Sequence, residues 1–170
     1  LNNNTAGISG TGILTLTNDI TINKKNGNND GTFNIVAGTT VICRSVLKGN
    51  GNNGNWDMTI TGTLKITGTI DMDNVTCTTS STVEYNGTAQ TVLNIDYYNL
   101  TLSGSGTKTL TTGTTTIGGN FTLAGSAAVT AVTALAIGGN VVLGNGTSFN
   151  AGNYTHTIAG NWTNNGTTFT

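Results

Sequence analysis

From Ile60 to Met72 the chain reads ITGTLKITGTIDM, and every even position is apolar or Gly. Successive side chains of an extended strand point to opposite faces, so this alternation predicts half-buried β-strands. Within it lies a shorter template, Ile-x-Gly-x-Φ, where Φ is apolar. The template occurs at Ile60 to Leu64, Ile66 to Ile70, Ile117 to Phe121, Ile137 to Val141 and Ile158 to Trp162. Degenerate forms stand at Ile8 to Gly12 and Leu102 to Gly106. Apolar residues are nowhere grouped at helical spacing, so no helix is expected.

The longer period sets the architecture. Ile117-Gly-Gly-Asn120 returns as Ile137-Gly-Gly-Asn140 and again, with one change, as Ile158-Ala-Gly-Asn161, at intervals of 20 (137 − 117) and 21 (158 − 137). A period near 20 residues built of short strands and Gly/Asn corners suits one rung of a β-solenoid, in which the chain returns one strand spacing of about 4.8 Å higher. A propeller blade would take about 40 residues, and a sandwich would show no such register. The expected fold is therefore all-β, a parallel β-solenoid with rungs of about 20 residues, right-handed by the crossover rule for parallel strands. Equal offsets put Ile117, Ile137 and Ile158 in one inward column, and Phe121, Val141 and Trp162 in another. Asn120, Asn140 and Asn161 form a column between them, where stacked amides can hydrogen-bond from rung to rung. A single domain over residues 1–170 is expected. Residues 1–81 make irregular, longer rungs with loops at Asn23 to Gly31 and Lys48 to Asn55, and residues 82–170 make regular ones.

Composition sharpens this picture in three ways. The chain contains no Pro, as a coil requires if nearly every backbone N–H donates to a neighbouring rung. Only 8% of residues are charged and the net charge is −1, so the basic patch of a nucleic-acid binder is missing. There is no apolar run of about 18 residues, and no membrane insertion is expected. Without an initiator Met or a leader, the chain reads as a mature or excised segment.

One long stretch, TVEYNGTAQTVLNIDYYNLTLSGSGTKTLTTGTTTIGGNFTLAGS from Thr82 to Ser126, resembles the repeat modules of very large secreted surface proteins of Bacteroidetes-type bacteria. In those adhesin-like chains similar text recurs; here the resemblance covers about residues 82–170. It implies an exported, extracellular β-solenoid with a structural or adhesive role.

Candidate chemistry is sparse. Of the seven acidic residues only Asp71 and Asp73 share a face, and two carboxylates fall short of the six to eight oxygens that calcium takes, so they read as solvated surface groups. His156 is the only histidine, lies in the inward phase and has no triad partner at a recognisable motif. Cys43 and Cys77 are in phase with inward neighbours and read as two small buried hydrophobes, with a disulfide as the minor alternative. No catalytic, cofactor-binding or metal-ligating residue emerges, and no cofactor is expected. Trp56, Tyr97 and Tyr98 are the candidate ligand contacts, since exposed aromatics flanked by Asn and Asp stack on sugars, although packing in a core or corner competes with that reading.

Both ends, LNNNTAGISGTGILTLT and NGTTFT, read as strands without a helical or charged cap. The expected function is that of a non-enzymatic structural subunit of an extracellular, cell-surface filament. Its partner is itself, in a head-to-tail homopolymer joined by solenoid edges or by exchange of a terminal strand. The alternative is a module of a long bacterial adhesin stalk that contacts a carbohydrate or a surface. A polysaccharide-acting β-helix enzyme stands third, because it would need a carboxylate or basic cluster in one groove.

Overall fold

In a computed structural model the described residues are 4–23, 30–51, 54–113, 116–166 and 168–170. The predicted loops at Asn23 to Gly31 and Lys48 to Asn55 lie partly outside them, at 24–29 and 52–53, as does the amino-terminal stretch 1–3. The chain is an all-β parallel solenoid with about 21 residues per turn.

Among the described residues it winds as eight rungs of two or three short strands. The first comprises β1 (Asn4–Ile8), β2 (Gly12–Thr15) and β3 (Ile20–Ile22); the second β4 (Gly31–Ile35), β5 (Thr39–Cys43) and β6 (Val46–Lys48). The third has β7 (Trp56–Ile60), β8 (Thr63–Ile66) and β9 (Ile70–Asp71); the fourth β10 (Asn74–Cys77), β11 (Thr82–Tyr85) and β12 (Gln90–Thr91). The fifth has β13 (Asn99–Leu102) and β14 (Ser105–Thr109); the sixth β15 (Thr116–Ile117), β16 (Phe121–Leu123) and β17 (Ser126–Thr130). The seventh has β18 (Ala136–Ile137), β19 (Val141–Leu143) and β20 (Ser148–Asn150); the eighth β21 (Thr157–Ile158), β22 (Trp162–Asn164) and β23 (Thr168–Phe169).

The spine is an eight-stranded sheet in the order β2-β5-β8-β11-β13-β16-β19-β22. Its inward column of Val41, Leu64, Val83, Leu100, Phe121 and Val141 is wholly inaccessible to solvent. Burying each such side chain contributes about 1.5–3 kcal/mol, and every rung adds its own. Turn length falls along the spine before it settles. Gly12 pairs with Thr39 (39 − 12 = 27), Thr63 with Thr82 (82 − 63 = 19) and Thr82 with Asn99 (99 − 82 = 17). Beyond Leu100 the turns are regular: Phe121 pairs with Val141 (141 − 121 = 20) and Val141 with Trp162 (162 − 141 = 21).

The Ile-x-Gly-x-Φ template turns out to be a corner. Ile60 ends β7 and Leu64 lies in β8; Ile66 ends β8 and Ile70 begins β9. The 60–72 run is thus parts of three strands and two bends rather than one strand, and alternation passes through because the flanking side chains still point inward. At the apex a side chain has no room: a Cβ on Gly62 would stand 2.3 Å from the Val36 carbonyl oxygen, and one on Gly68 would stand 2.9 Å from that of Arg44.

The other two faces are each broken once. One is the sheet β1-β4-β7-β10, then a second sheet β15-β18-β21 that Tyr97 enters through a bridge to Ile117. The other is β3-β6-β9, then β12-β14-β17-β20-β23. The breaks fall at successive junctions, the second face between the third and fourth rungs and the first between the fourth and fifth, and across this seam the spine alone is continuous from the third rung to the fifth.

Candidate functional site

The repeated tetrapeptide builds a hydrogen-bonded column on the outside of the spine. Ile117 pairs with Ile137 and Ile137 with Ile158, while Phe121, Val141 and Trp162 stack in the adjoining strand. Between them the Asn residues do not pair amide to amide. Asn120 Oδ1 accepts the backbone N–H of Asn140 at 2.8 Å, and Asn140 Oδ1 accepts that of Asn161 at 2.8 Å. Asn99 begins the series by accepting from Asn120 N–H at 2.9 Å. Each side chain thus stands in for a main-chain carbonyl at the corner. The second Gly of the motif is the space this needs, since a Cβ on Gly139 would lie 2.6 Å from Asn120 Oδ1 and 2.7 Å from the Gly119 backbone.

The seam is closed by polar side chains inside the coil. Tyr85 and Tyr97 are buried with their hydroxyls 2.9 Å apart; Tyr85 accepts from Leu93 N–H and Tyr97 donates to the Leu93 carbonyl. Burial raises the pKa of Tyr85 to about 12 and holds that of Tyr97 well above its ordinary value. Lys108 occupies the column of Val129 and Phe149, fully buried, and its ammonium donates to the carbonyls of Gly87 (2.6 Å) and Thr88 (2.7 Å) and to Gln90 Oε1 (2.9 Å). Desolvation lowers the pKa of that ammonium. Gln90 Nε2 in turn donates to the carbonyls of Ile66 and Gly68, joining β12 to the rung below where no ladder does so. Sequence reasoning missed Tyr85, Gln90 and Lys108; the signal was a Lys in register with Val and Phe.

These placements decide the aromatic candidates. Tyr97 is a core residue and cannot reach a ligand at the surface, because its ring bridges the seam; of the pair only Tyr98 is partly exposed. Trp56 is half-buried against the core, and its Nε1–H donates to the Ile22 carbonyl at 2.8 Å. His156 is also committed: Nδ1 accepts from Leu135 N–H at 3.1 Å and Nε2 faces the Ala151 carbonyl at 2.9 Å, which fixes the proton on Nε2. Cys43 and Cys77 are free thiols, and burial raises the pKa of each to about 11.

Charged groups pair across rungs instead of gathering in a groove. Arg44 clamps Asp19 through two nitrogens and, as the closest charge, holds that carboxyl below its usual range. Lys48 lies 2.9 Å from Asp73 and 3.3 Å from Asp71, which accounts for the two carboxylates that share a face. Lys65 meets Glu84 at 2.8 Å. Among the described residues no three His, Cys, Asp or Glu side chains come close enough to hold a metal ion. No family model, no curated protein and no solved structure matches this chain.

What the coil does present is surface of two kinds. A shallow trough of about 380 Å³ crosses β15, β18 and β21, lined by small side chains such as Thr116, Ala136 and Thr157. The two end rungs present open strand edges with apolar side chains. Trp162 and Phe169, whose rings meet edge to face at 5.1 Å, are 41% and 48% exposed although they stand in the buried columns of Val141 and Phe149. At the other end Ile13 is 72% exposed. After Lys108 the sequence holds no Asp, Glu, Lys or Arg, so the last three rungs carry no fixed charge that would repel a neighbour.

Proposed function

We propose that the chain is a non-enzymatic structural subunit of an extracellular, cell-surface filament whose copies stack end to end. One observation carries this reading: core-column residues of the last rung, Trp162 and Phe169, lie open on an uncharged strand edge that another rung would cover. The placement of the carboxylates supports a non-enzymatic reading: Asp19, Asp71, Asp73 and Glu84 are ion-paired, and Asp30 and Asp57 accept from Asn55 N–H and Asn74 Nδ2. The resemblance of Thr82 to Ser126 to secreted surface repeats supports the extracellular location. Electron microscopy of the purified chain at rising concentration tests the proposal. Fibres with an axial repeat of one protomer are expected; monodisperse rods at every concentration would end it.

The same resemblance, with the shallow trough over β15, β18 and β21, favours a second reading as a module of an adhesin stalk that lies against a surface or a glycan. Rods that stay single yet bind a glycan array or a cell surface would select it.

A further inference from the structure

The end-to-end reading leaves open which atoms join, and the spine sheet answers it. One outward column of that sheet begins at Ile13, passes Thr82 and Asn99, and ends at Asn161. Within the coil each Asn of this column gives its Oδ1 to the backbone N–H of the rung above. Asn161 is the last, and among the described residues its Oδ1 meets no donor. At the opposite end β2 pairs with β5 alone. Gly12 N–H and Leu16 N–H donate upward, to the carbonyls of Gly38 and Ile42. A strand addresses its two neighbours alternately, so the N–H of Ile13 points the other way, out of the first rung. The open acceptor and the open donor therefore occupy the same column of the same sheet at opposite ends of the molecule.

Resting on the end-to-end reading, we infer that a second copy of this chain seats its first rung on the last rung of the one before, in the register of the coil itself. Ile13 N–H of the incoming copy donates to Asn161 Oδ1. In return Trp162 N–H donates to the Ile13 carbonyl, as Val141 N–H does to the Asn161 carbonyl inside the coil at 2.8 Å. Asn161 and Asn165 donate back to the preceding rung, which leaves Trp162 N–H facing outward. The apolar side follows the same register. Leu14 stands in the column of Val41, half-buried, and would close over the exposed indole of Trp162. A partner of other sequence has no reason to match this column, whereas the chain's own first rung continues it without a shift, and the last three rungs offer no charge that would hold a like copy off.

Two variants of the full chain test the junction, one at each end. Ile13→Pro removes the outward N–H and leaves the donors at Gly12 and Leu16; Pro is tolerated on an edge strand whose N–H faces solvent. Trp162→Lys places a charge on the opposite edge. Circular dichroism melts establish that both fold. Each variant alone is expected to stay monomeric at concentrations at least about tenfold above those at which the natural chain forms fibres. An equimolar mixture should form heterodimers and nothing longer by mass photometry, because each partner keeps one competent end. Asn161→Ala, which preserves every bond inside the coil, should raise the assembly concentration by about 2- to 10-fold and keeps the test decisive if either other variant misfolds. Fibres from the variants as readily as from the natural chain would overturn this junction and leave the filament standing. A natural chain that stays monomeric would overturn both.

Discussion

At the scale of single residues, glycine and asparagine form one device. The Cβ space at Gly119, Gly139 and Gly160 is taken by the Asn amide of the rung below, so Gly139 and Asn120 are two halves of one contact. Gly139→Ala is expected to cost about 1–3 kcal/mol, since the new methyl meets the backbone of Gly119 as well as the amide. Combining it with Asn120→Ala should cost less than the sum of the two changes, a coupling that thermal melts of the four chains would measure. Buried acids give a second residue-scale outcome. Cys43 and Cys77 ordinarily titrate near 9.0 and are raised to about 11; Tyr85 ordinarily titrates at 10.0 and is raised to about 12. The folded chain keeps these protons at pH values where the unfolded chain gives them up. Their contribution is therefore intact below pH 9 and is lost as pH rises from 9 to about 11 for the thiols and from 10 to about 12 for Tyr85. Melting temperature should fall across that range, with Tyr85 and Tyr97 ionising only as the chain unfolds. A melting temperature that stayed flat would mean that water reaches these groups.

At the scale of elements, the seam separates what the sequence revealed from what it hid. The regular rungs were legible because Ile117, Ile137 and Ile158 repeat as text, and repetition fixes register without any knowledge of contacts. The seam was not legible because it lies where repetition fails: the turn from Thr82 to Asn99 is the shortest, and Gln90 and Lys108 stand in a column that is otherwise apolar. Alternation marks Lys108 as inward but says nothing of the carbonyls that receive it. Tyr97, whose neighbours suggested a surface aromatic, went inward for the same reason, to close a gap where two sheets end. Lys108→Met should accordingly cost about 1–3 kcal/mol by leaving buried acceptors unmet, seen as a drop of several degrees in melting temperature. The same change at Lys65, in a partly exposed pair with Glu84, should cost under about 1 kcal/mol. Equal losses at the two sites would remove Lys108 from its place in the seam.

At the scale of the whole molecule, the ends and the seam share one property, an interruption of sheets that elsewhere continue. The ends leave three edges open, whereas the seam leaves two faces broken and one whole. Every ladder hydrogen bond lies along the coil axis, so tension applied between the ends is carried by those bonds in parallel, sheet beside sheet. Most junctions between rungs share the load among three sheets. At the seam it passes through two: β7–β10 and β8–β11 below the fourth rung, β11–β13 and β12–β14 above it, with side chains bridging where the third ladder is missing. Tension on the coil would therefore open it first at the seam, beside the tyrosine pair and Lys108, where two ladders replace three, while the uncharged rungs beyond remain wound.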